Sequence, residues 1–185
     1  MTTTHLTLEQ FLALPETKPY REYVDGEVIR KAMGDIPHSA IQTLLSFVFT
    51  LYLRQYPGGF AGSELRCIFG PAGRERAYVP DAVFIRAGRL RIRRGPFRAA
   101  PDLAVEILSP DDRKSRVQKK IRFYRENGVE LVWLIDPAKR IVTVYDASDE
   151  TTLSEMDTLT GGTVMPGFAV PVSEILPPVE DDEGE

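Results

Sequence analysis

The segment from Pro101 to Gly128 constrains the fold most, because it joins a buried strand, a sharp break and a basic amphipathic helix. Apolar and β-branched residues dominate positions 102–108, and a Ser-Pro-Asp-Asp sequence follows, which favours an interior strand. Glu106 therefore lies where a carboxylate is rarely found without a partner. That partner is either an arginine or hydrogen-bond donor of the core, or a bound metal ion. Asp81 upstream and the helix downstream favour the metal ion.

Two Pro-Asp pairs, at Asp81 and Asp102, offer a second carboxylate for the same ion. Asp102 and Glu106 lie four residues apart on one strand, so at ~3.3 Å per residue their Cα atoms are about 13 Å apart. That is too far for both to bind one ion through ligand bonds near ~2.1 Å. Asp81 precedes another β-branched run, and a neighbouring strand lies only about 4.8 Å away. We therefore predict that Asp81 and Glu106 form the carboxylate pair, although an isolated Pro-Asp is more commonly a turn.

The helix after the Ser-Pro-Asp-Asp break supplies a nearby amine. Val117, Ile121 and Tyr124 form its apolar stripe, and Asn127-Gly128 marks its C-terminal end. At about 100° per residue, Lys120 lies about 65° from the centre of the stripe, whereas Lys119 points to solvent. We therefore expect the Lys120 side chain to follow the apolar seam and bring its ammonium to the end of the strand. There it either forms only a salt bridge or helps to orient an attacking water molecule.

Upstream, Asp25-Gly26 separates two alternating runs, which is a strong hairpin signal. Glu22 lies on the first strand of this hairpin, where it is either the partner of a cation or a carboxylate that faces the site. A helix from about 37 to 56 follows. His38 lies at its start on the inward side, where a histidine is more often a local hydrogen-bonding group than a metal ligand.

Alternating runs predict the remaining strands. Two precede the carboxylate strand, at about 60–69 and 76–85, and two flank the turn at Asp136-Pro137. Short edge strands between 151 and 169 and a helical turn after Pro171 follow them.

Length and composition restrict the class of protein. From 185 residues we expect one domain, residues 1–176, and an acidic, disordered tail, residues 177–185. The lone Cys67 excludes a disulfide framework and a thiolate zinc cluster, and fits a reducing cytosol. No signal peptide is recognisable and no run approaches the ~20 apolar residues of a membrane span. We therefore expect a cytoplasmic protein.

Charge is unevenly distributed along the chain. The net charge of -4 by itself argues against a nucleic-acid-binding protein. Residues 86–125, however, contain thirteen basic and four acidic side chains, and the loop 86–98 alone has six arginines with two Gly and one Pro. This pattern is typical of a mobile basic loop on a face that meets a polyanion. The alternative is a solvated helix face beside an arginine-rich loop.

A series of short motifs extends over almost the whole chain, from about Leu6 to Ile175. In order these are Glu22 with Tyr23-Val24-Asp25-Gly26-Glu27, His38-Ser39, Pro80-Asp81, Val105-Glu106-Ile107-Leu108-Ser109-Pro110, Lys120, Tyr124, Gly128-Val129 and Val132-Trp133-Leu134-Ile135-Asp136-Pro137. Each is weak alone, but their joint order and spacing are specific. The series resembles the Uma-two family of bacterial endonucleases, a branch of the PD-(D/E)XK restriction-endonuclease-like superfamily.

The resemblance implies fold class α/β (α+β mixed), with a central mixed β-sheet flanked by helices and a restriction-endonuclease-like core. It also implies a phosphodiesterase site with a divalent metal ion. Asp81, Glu106 and the backbone carbonyl of Ile107 would bind the ion, Glu22 would be the supporting acid and Lys120 the catalytic lysine.

Two positions depart from the superfamily pattern. The lysine usually follows the acid by two residues, and that position is Leu108 here; Lys120 matches the lysine that this branch carries on the next helix. Arg116 stands where similar proteins often carry Asp, which changes the polarity of the helix. Other enzyme classes are disfavoured, because one Cys and two His offer little for a nucleophile–base pair and no Gly-rich phosphate loop follows a strand.

We therefore expect a metal-dependent endonuclease that hydrolyses nucleic-acid phosphodiester bonds, with DNA favoured over RNA. Mg²⁺ (or Mn²⁺) would be the cofactor, and a homodimer is the expected assembly. The phosphate backbone would be held by the nucleic-acid-binding residues Arg89, Arg91, Arg93, Arg94, Arg113 and Arg116. The alternative is a catalytically degenerate nuclease-fold module that binds nucleic acid or a protein partner.

Overall fold

The computed structural model describes residues 5–90, 94–147 and 149–178. The α-helices are α1 (Leu8–Leu12), α2 (Ile36–Gln55) and α3 (Lys114–Glu126). The strands are β1 (Arg21–Val24), β2 (Glu27–Arg30), β3 (Phe60–Ser63), β4 (Cys67–Phe69), β5 (Arg76–Tyr78), β6 (Ala82–Ile85), β7 (Leu103–Ile107), β8 (Leu131–Asp136), β9 (Ile141–Tyr145), β10 (Glu150–Ser154), β11 (Thr158–Thr160) and β12 (Ala169–Pro171). A 3-10 helix, Val172–Ile175, follows β12.

A six-stranded sheet forms the centre of the fold, in the order β10-β9-β8-β7-β6-β3. β7 and β8 are parallel and the other neighbours are antiparallel, so the sheet is mixed. A smaller sheet has the order β2-β1-β5-β4, and β11 pairs with β12. This architecture confirms the expected α/β (α+β mixed) class, with a central mixed sheet flanked by helices.

The two faces of the central sheet belong to different hydrophobic clusters, because successive residues of a strand point to opposite sides. On β7, Leu103, Val105 and Ile107 pack in the cluster that contains α2, whereas Ala104 packs in the cluster that contains α3. Glu106 shares the side of Ala104. It therefore faces α3 and the smaller sheet.

The hairpin between β1 and β2 has the two-residue turn that the sequence predicts. Asp25 and Gly26 both have positive φ, 50° and 93°, as a type I′ turn requires. Glu22 pairs with Ile29, and the backbone N–H of Lys31 donates to the carbonyl oxygen of Tyr20 at 2.8 Å. Because alternate residues share a face, Lys31 lies on the same side of the hairpin as Glu22.

The long strands expected at about 60–69 and 76–85 are each divided between the two sheets. β3 and β6 belong to the central sheet, and β4 and β5 belong to the smaller one. The chain turns at Glu64, whose φ is 53°, and at Pro80, which cannot donate a backbone hydrogen bond. As a result Asp81 lies where the chain crosses from one sheet to the other, directly before β6.

Helix α2 packs on the central sheet through Ile41, Leu45, Val48 and Phe49, which are buried.

The expectation that no segment approaches a membrane span needs correction at helix α2. Among the described residues this one helix, with 20 residues and a mean hydropathy of 1.3, is long and apolar enough to cross a membrane. This is weak evidence, because a core helix passes the same test.

Several expectations lie outside the described residues or stay predictions. Arg91 and Arg93 of the basic loop lie outside the described residues, as does the expected tail from residue 179 onward. The boundary of the domain at residue 176, the cytoplasmic location and the homodimer stay predictions.

Candidate active site

Asp81 lies opposite Glu106 on the neighbouring strand. The register pairs Ala82 with Val105, and the backbone N–H of Asp81 donates to the carbonyl oxygen of Val105 at 2.9 Å. The N–H of Ile107 donates to Asp81 Oδ2 at 2.8 Å, and Asp81 is 1% exposed. The structure thus brings the two predicted carboxylate residues together at the C-terminal end of β7.

Two basic side chains approach the other oxygen of Asp81. Lys31 Nζ lies 2.6 Å and His38 Nε2 lies 3.1 Å from Oδ1. Burial by itself would raise the pKa of Asp81, but Lys31 and His38 outweigh it and hold the pKa well below its usual range. Burial would lower the pKa of His38, and its contact with Asp81 raises the pKa instead. His38 is therefore a hydrogen-bonding group, as the sequence favours, but its partner is distant in the chain.

Glu106 accepts hydrogen bonds from two residues of α3. Lys120 Nζ lies 2.8 Å from Oε2, and the Tyr124 hydroxyl lies 2.8 Å from Oε1. Lys120 Nζ also donates to Glu22 Oε1 at 2.7 Å, and the same oxygen accepts the Val79 N–H at 3.0 Å. Lys120 and Tyr124 reach the site together because residues four apart share one face of a helix. Lys120 is 8% exposed and joins an acid of each sheet.

The two sides of the site differ in proton affinity. Burial raises the pKa of Glu106 to about 7, against the lowering effect of Lys120. Burial would lower the pKa of Lys120, but Glu106 and Glu22 outweigh it and raise the pKa, so the ammonium stays charged. Burial and the nearby Glu106 raise the pKa of the Tyr124 hydroxyl, which therefore remains a hydrogen-bond donor. Asp81 is ionised, whereas Glu106 holds a proton more readily.

A cleft of about 540 Å³ gives access to this cluster, between the β1–β2 hairpin and the first turns of α3. The side chains of Glu22, Lys31, His38, Asp81, Glu106 and Lys120 line it. Its rim carries the exposed basic residues Arg30, Arg113, Arg116 and Lys119. Among the described residues, no group of three His, Cys, Asp or Glu side chains is arranged to hold a metal ion.

The predicted nucleic-acid-binding arginines fall in different places. Arg113 and Arg116 line the cleft. Arg89 instead contacts Asp102, with its Nη1 atom 2.6 Å from Oδ1, and neither Arg89 nor Arg94 is among the residues that line the cleft. The basic rim of the cleft therefore comes from α3 and the hairpin.

Sequence reasoning assigned no role at the site to Tyr124 and missed Lys31 altogether. Its signal was present, because the Asp25-Gly26 turn sets a register that places Lys31 on the same side as Glu22. What the hairpin pattern does not give is the position of this side relative to Asp81, which depends on how the smaller sheet packs on the central one.

A comparison with solved structures defines the class of protein. The chain matches a crystal structure described as a "putative nuclease belonging to DUF820" from Anabaena variabilis ATCC 29413, with a TM-score of 0.82 and 32% sequence identity. The match covers 92% of this chain and 97% of that chain. The fold is therefore that of a nuclease-like protein.

The family follows from the sequence. The model of the Uma2 family, described as "Putative restriction endonuclease", matches residues 8–173. The chain belongs to the Uma2 family, which confirms the resemblance seen in the motifs. A search of curated proteins found no match.

Proposed function

We propose that this protein is a metal-dependent endonuclease that hydrolyses phosphodiester bonds in nucleic acid. One observation carries the proposal: Asp81 from the crossing before β6, Glu106 from β7 and Lys120 from α3 line the inner end of one open cleft. Membership of the Uma2 family supports nuclease chemistry, and the description of that family as restriction endonucleases favours DNA over RNA.

The donor groups suit a hard divalent cation, Mg²⁺ or Mn²⁺. Asp81, directly before β6, and Glu106, on the neighbouring strand β7, are buried carboxylates, and such ions prefer oxygen ligands and retain several water molecules. We propose that these two carboxylates and the backbone carbonyl of Ile107 hold the ion. When bound, the ion would polarise a phosphate oxygen and lower the pKa of its water.

The residues of this chain supply charge and position. Lys120 is held by Glu22 and Glu106 at 2.7 and 2.8 Å, so its ammonium is preorganised to orient the attacking water and to stabilise charge that develops on the phosphate. Glu22 is the supporting acid, because it holds Lys120 from the side of the smaller sheet. Tyr124 is a positioning residue, because its hydroxyl fixes the orientation of the Glu106 carboxylate.

The rim of the cleft would hold the phosphate backbone. Arg30, Arg113, Arg116 and Lys119 are exposed and line the cleft, and such contacts give salt-dependent affinity without reading the base sequence. Arg94 and the other arginines of the 86–98 loop are proposed as outer contacts. Arg86 and Arg89 are the weakest members of that set, because Asp102 pairs with both guanidinium groups and Glu130 also pairs with that of Arg86.

The test of the function is cleavage of supercoiled plasmid DNA in the presence of Mg²⁺, followed as nicked product. Lys120→Ala should reduce the rate at least about a hundredfold, since it removes a charge that acts in the transition state, and chelation of the metal should abolish product. Lys114→Ala is the matched control, because Lys114 lies on the same helix but does not line the cleft. Equal cleavage by Lys120→Ala and the parent would refute the role of Lys120.

The metal site has its own test. A crystal soaked with Mn²⁺ should give anomalous density between Asp81 and Glu106. Density elsewhere, or none at millimolar Mn²⁺, would argue against these ligands even if cleavage were observed.

A second candidate is a catalytically degenerate module on the same fold. The observation in its favour is that Lys31 and Lys120 already pair with Asp81 and Glu106. Such a module would bind nucleic acid with salt-sensitive affinity and would give no Mg²⁺-dependent product.

A further inference from the structure

Lys31 makes the closest contact with Asp81 of any charged group that the structure describes. Its Nζ atom lies 2.6 Å from Asp81 Oδ1 and 2.8 Å from the carbonyl oxygen of Val79. The Lys31 side chain is 13% exposed and lines the cleft. The Lys31 ammonium is therefore a cation that already contacts the Asp81 carboxylate at the inner end of the cleft.

The other carboxylate oxygen of Asp81, Oδ2, is already engaged in a hydrogen bond. Asp81 Oδ2 accepts the backbone N–H of Ile107 at 2.8 Å, a bond that fixes the carboxylate against β7. Oδ1 is the oxygen that Lys31 and His38 contact. An incoming divalent ion must therefore compete with Lys31 for the same carboxylate.

The two lysines of the site are held differently. Lys120 lies between two acids, Glu22 and Glu106, and is the more buried of the two. Among the described residues, Lys31 pairs with one acid, Asp81. It directly follows β2, and its backbone N–H donates to the carbonyl oxygen of Tyr20. Because a lysine side chain has four flexible carbons, its ammonium can leave Asp81 while the backbone of the hairpin stays in place.

We propose that Lys31 is a resident counter-cation of Asp81, which the divalent metal ion must displace into the cleft before it can bind. This inference rests on the proposed metal-dependent function and adds the regulation of its metal site. It predicts that the chain binds the metal more weakly with Lys31 than without it. Metal-free protein is in turn stabilised by the lysine, because Asp81 would otherwise face Glu106 with less compensating charge.

The test is the affinity of the full chain for Mn²⁺ in the absence of nucleic acid, measured by electron paramagnetic resonance of the free ion. Lys31→Met should bind Mn²⁺ about tenfold more tightly than the parent, and its melting temperature should rise more on addition of Mn²⁺. Lys119→Met is the matched control, because it removes one positive charge from the same cleft without touching Asp81; we expect a change within about twofold, as for a solvent-exposed charge. Lys31→Gln serves if the methionine variant does not fold.

The outcomes separate this inference from the proposed function. Tighter binding by Lys31→Met that disappears when Asp81→Ala is added supports displacement. Equal or weaker binding by the Lys31 variants, with clear binding by the parent, overturns the role of Lys31 and leaves the metal site standing. Failure of the parent and every Lys31 variant to bind Mn²⁺ overturns the metal-dependent function and this inference together.

Discussion

Strand β7 has a buried acid near each end, and the two acids have opposite surroundings. Asp102, just before the strand, is 0% exposed and contacts Arg86 and Arg89, whose guanidinium nitrogens lie 3.1 and 2.6 Å from its Oδ1. The backbone N–H of Arg86 also donates to Oδ2 at 2.9 Å. Among the acids that the structure describes, these two arginines pair only with Asp102 and the neighbouring Glu130.

Glu106, near the other end, shares its cation with a second acid. Lys120 serves both Glu106 and Glu22, and Lys31 serves Asp81, so three acids face two lysines at the cleft. The comparison teaches that burial of an acid does not by itself indicate a functional site. The sharing of one lysine between two buried acids, together with access from solvent, is what distinguishes the Glu106 end.

The largest effect we expect is on cleavage. Glu106→Gln, which keeps the shape of the side chain, should lower the rate of plasmid nicking about a thousandfold, because a carboxylate proposed to hold the metal is lost. Asp102→Asn, at the other end of β7, should cleave at close to the parental rate per folded molecule. An equal loss in both variants, with circular dichroism showing both folded, would remove the distinction between the two ends.

The second effect is on stability, and here we expect the larger loss at the Asp102 end of β7. Asp102→Ala should lower the free energy of unfolding by about 2–4 kcal/mol, because it removes a buried carboxylate that accepts the Arg86 backbone N–H and one contact from each of two arginines. Urea denaturation of the metal-free protein measures this loss. Asp111→Ala is the control, since Asp111 is exposed and should change stability by less than about 0.5 kcal/mol. A loss below that of Asp111→Ala would show that the Asp102 contacts are not structural.

A smaller effect is expected from the hydroxyl that holds Glu106. Tyr124→Phe removes the 2.8 Å hydrogen bond to Oε1 and should cost about 1–2 kcal/mol of unfolding free energy. Tyr145→Phe is the matched change, because Tyr145 is also buried but its hydroxyl lies 3.4 Å from its partner Gln118. If both variants lose the same free energy of unfolding, the hydrogen bond from Tyr124 to Glu106 stabilises the fold no more than the longer contact of Tyr145 does.

The last effect is a pH dependence. Burial raises the pKa of Glu106 from about 4.5 to about 7 on folding, so the native state binds a proton that the unfolded state releases. The stability from this group is fully present below about pH 4.5 and is lost as the pH rises to about 7. Relative to Glu106→Gln, the metal-free parent should therefore become less stable over this interval in urea titrations. A flat difference between the two proteins would contradict the raised pKa.

Much of the fold could be predicted because its signals are local. The Asp25-Gly26 turn, the β-branched run of β7 and the apolar stripe of α3 each depend on a few neighbouring residues. The division of residues 60–69 and 76–85 between two sheets could not be predicted in the same way. Pro80 marks a break in its own strand, but only the packing of the two sheets decides which side each half joins.

The candidate site was predictable in part for the same reason. Strand spacing identifies Asp81 and Glu106 as neighbours, and helical geometry turns Lys120 inward. The contacts of Lys31 and His38 with Asp81, and of Arg89 with Asp102, join segments whose relative position is set by tertiary packing. Charge patterning placed the basic surface on residues 86–125, and of this segment Arg113 and Arg116 line the cleft together with Arg30 of the hairpin.

The bridge made by Lys120 has a consequence for biosynthesis. It joins Glu22, 98 residues earlier in the chain and on the smaller sheet, to Glu106 on the central sheet. A nascent chain therefore lacks the assembled centre until α3 has emerged from the ribosome and the two sheets have docked. Under the proposed nuclease function, the chain would acquire its activity only after this docking.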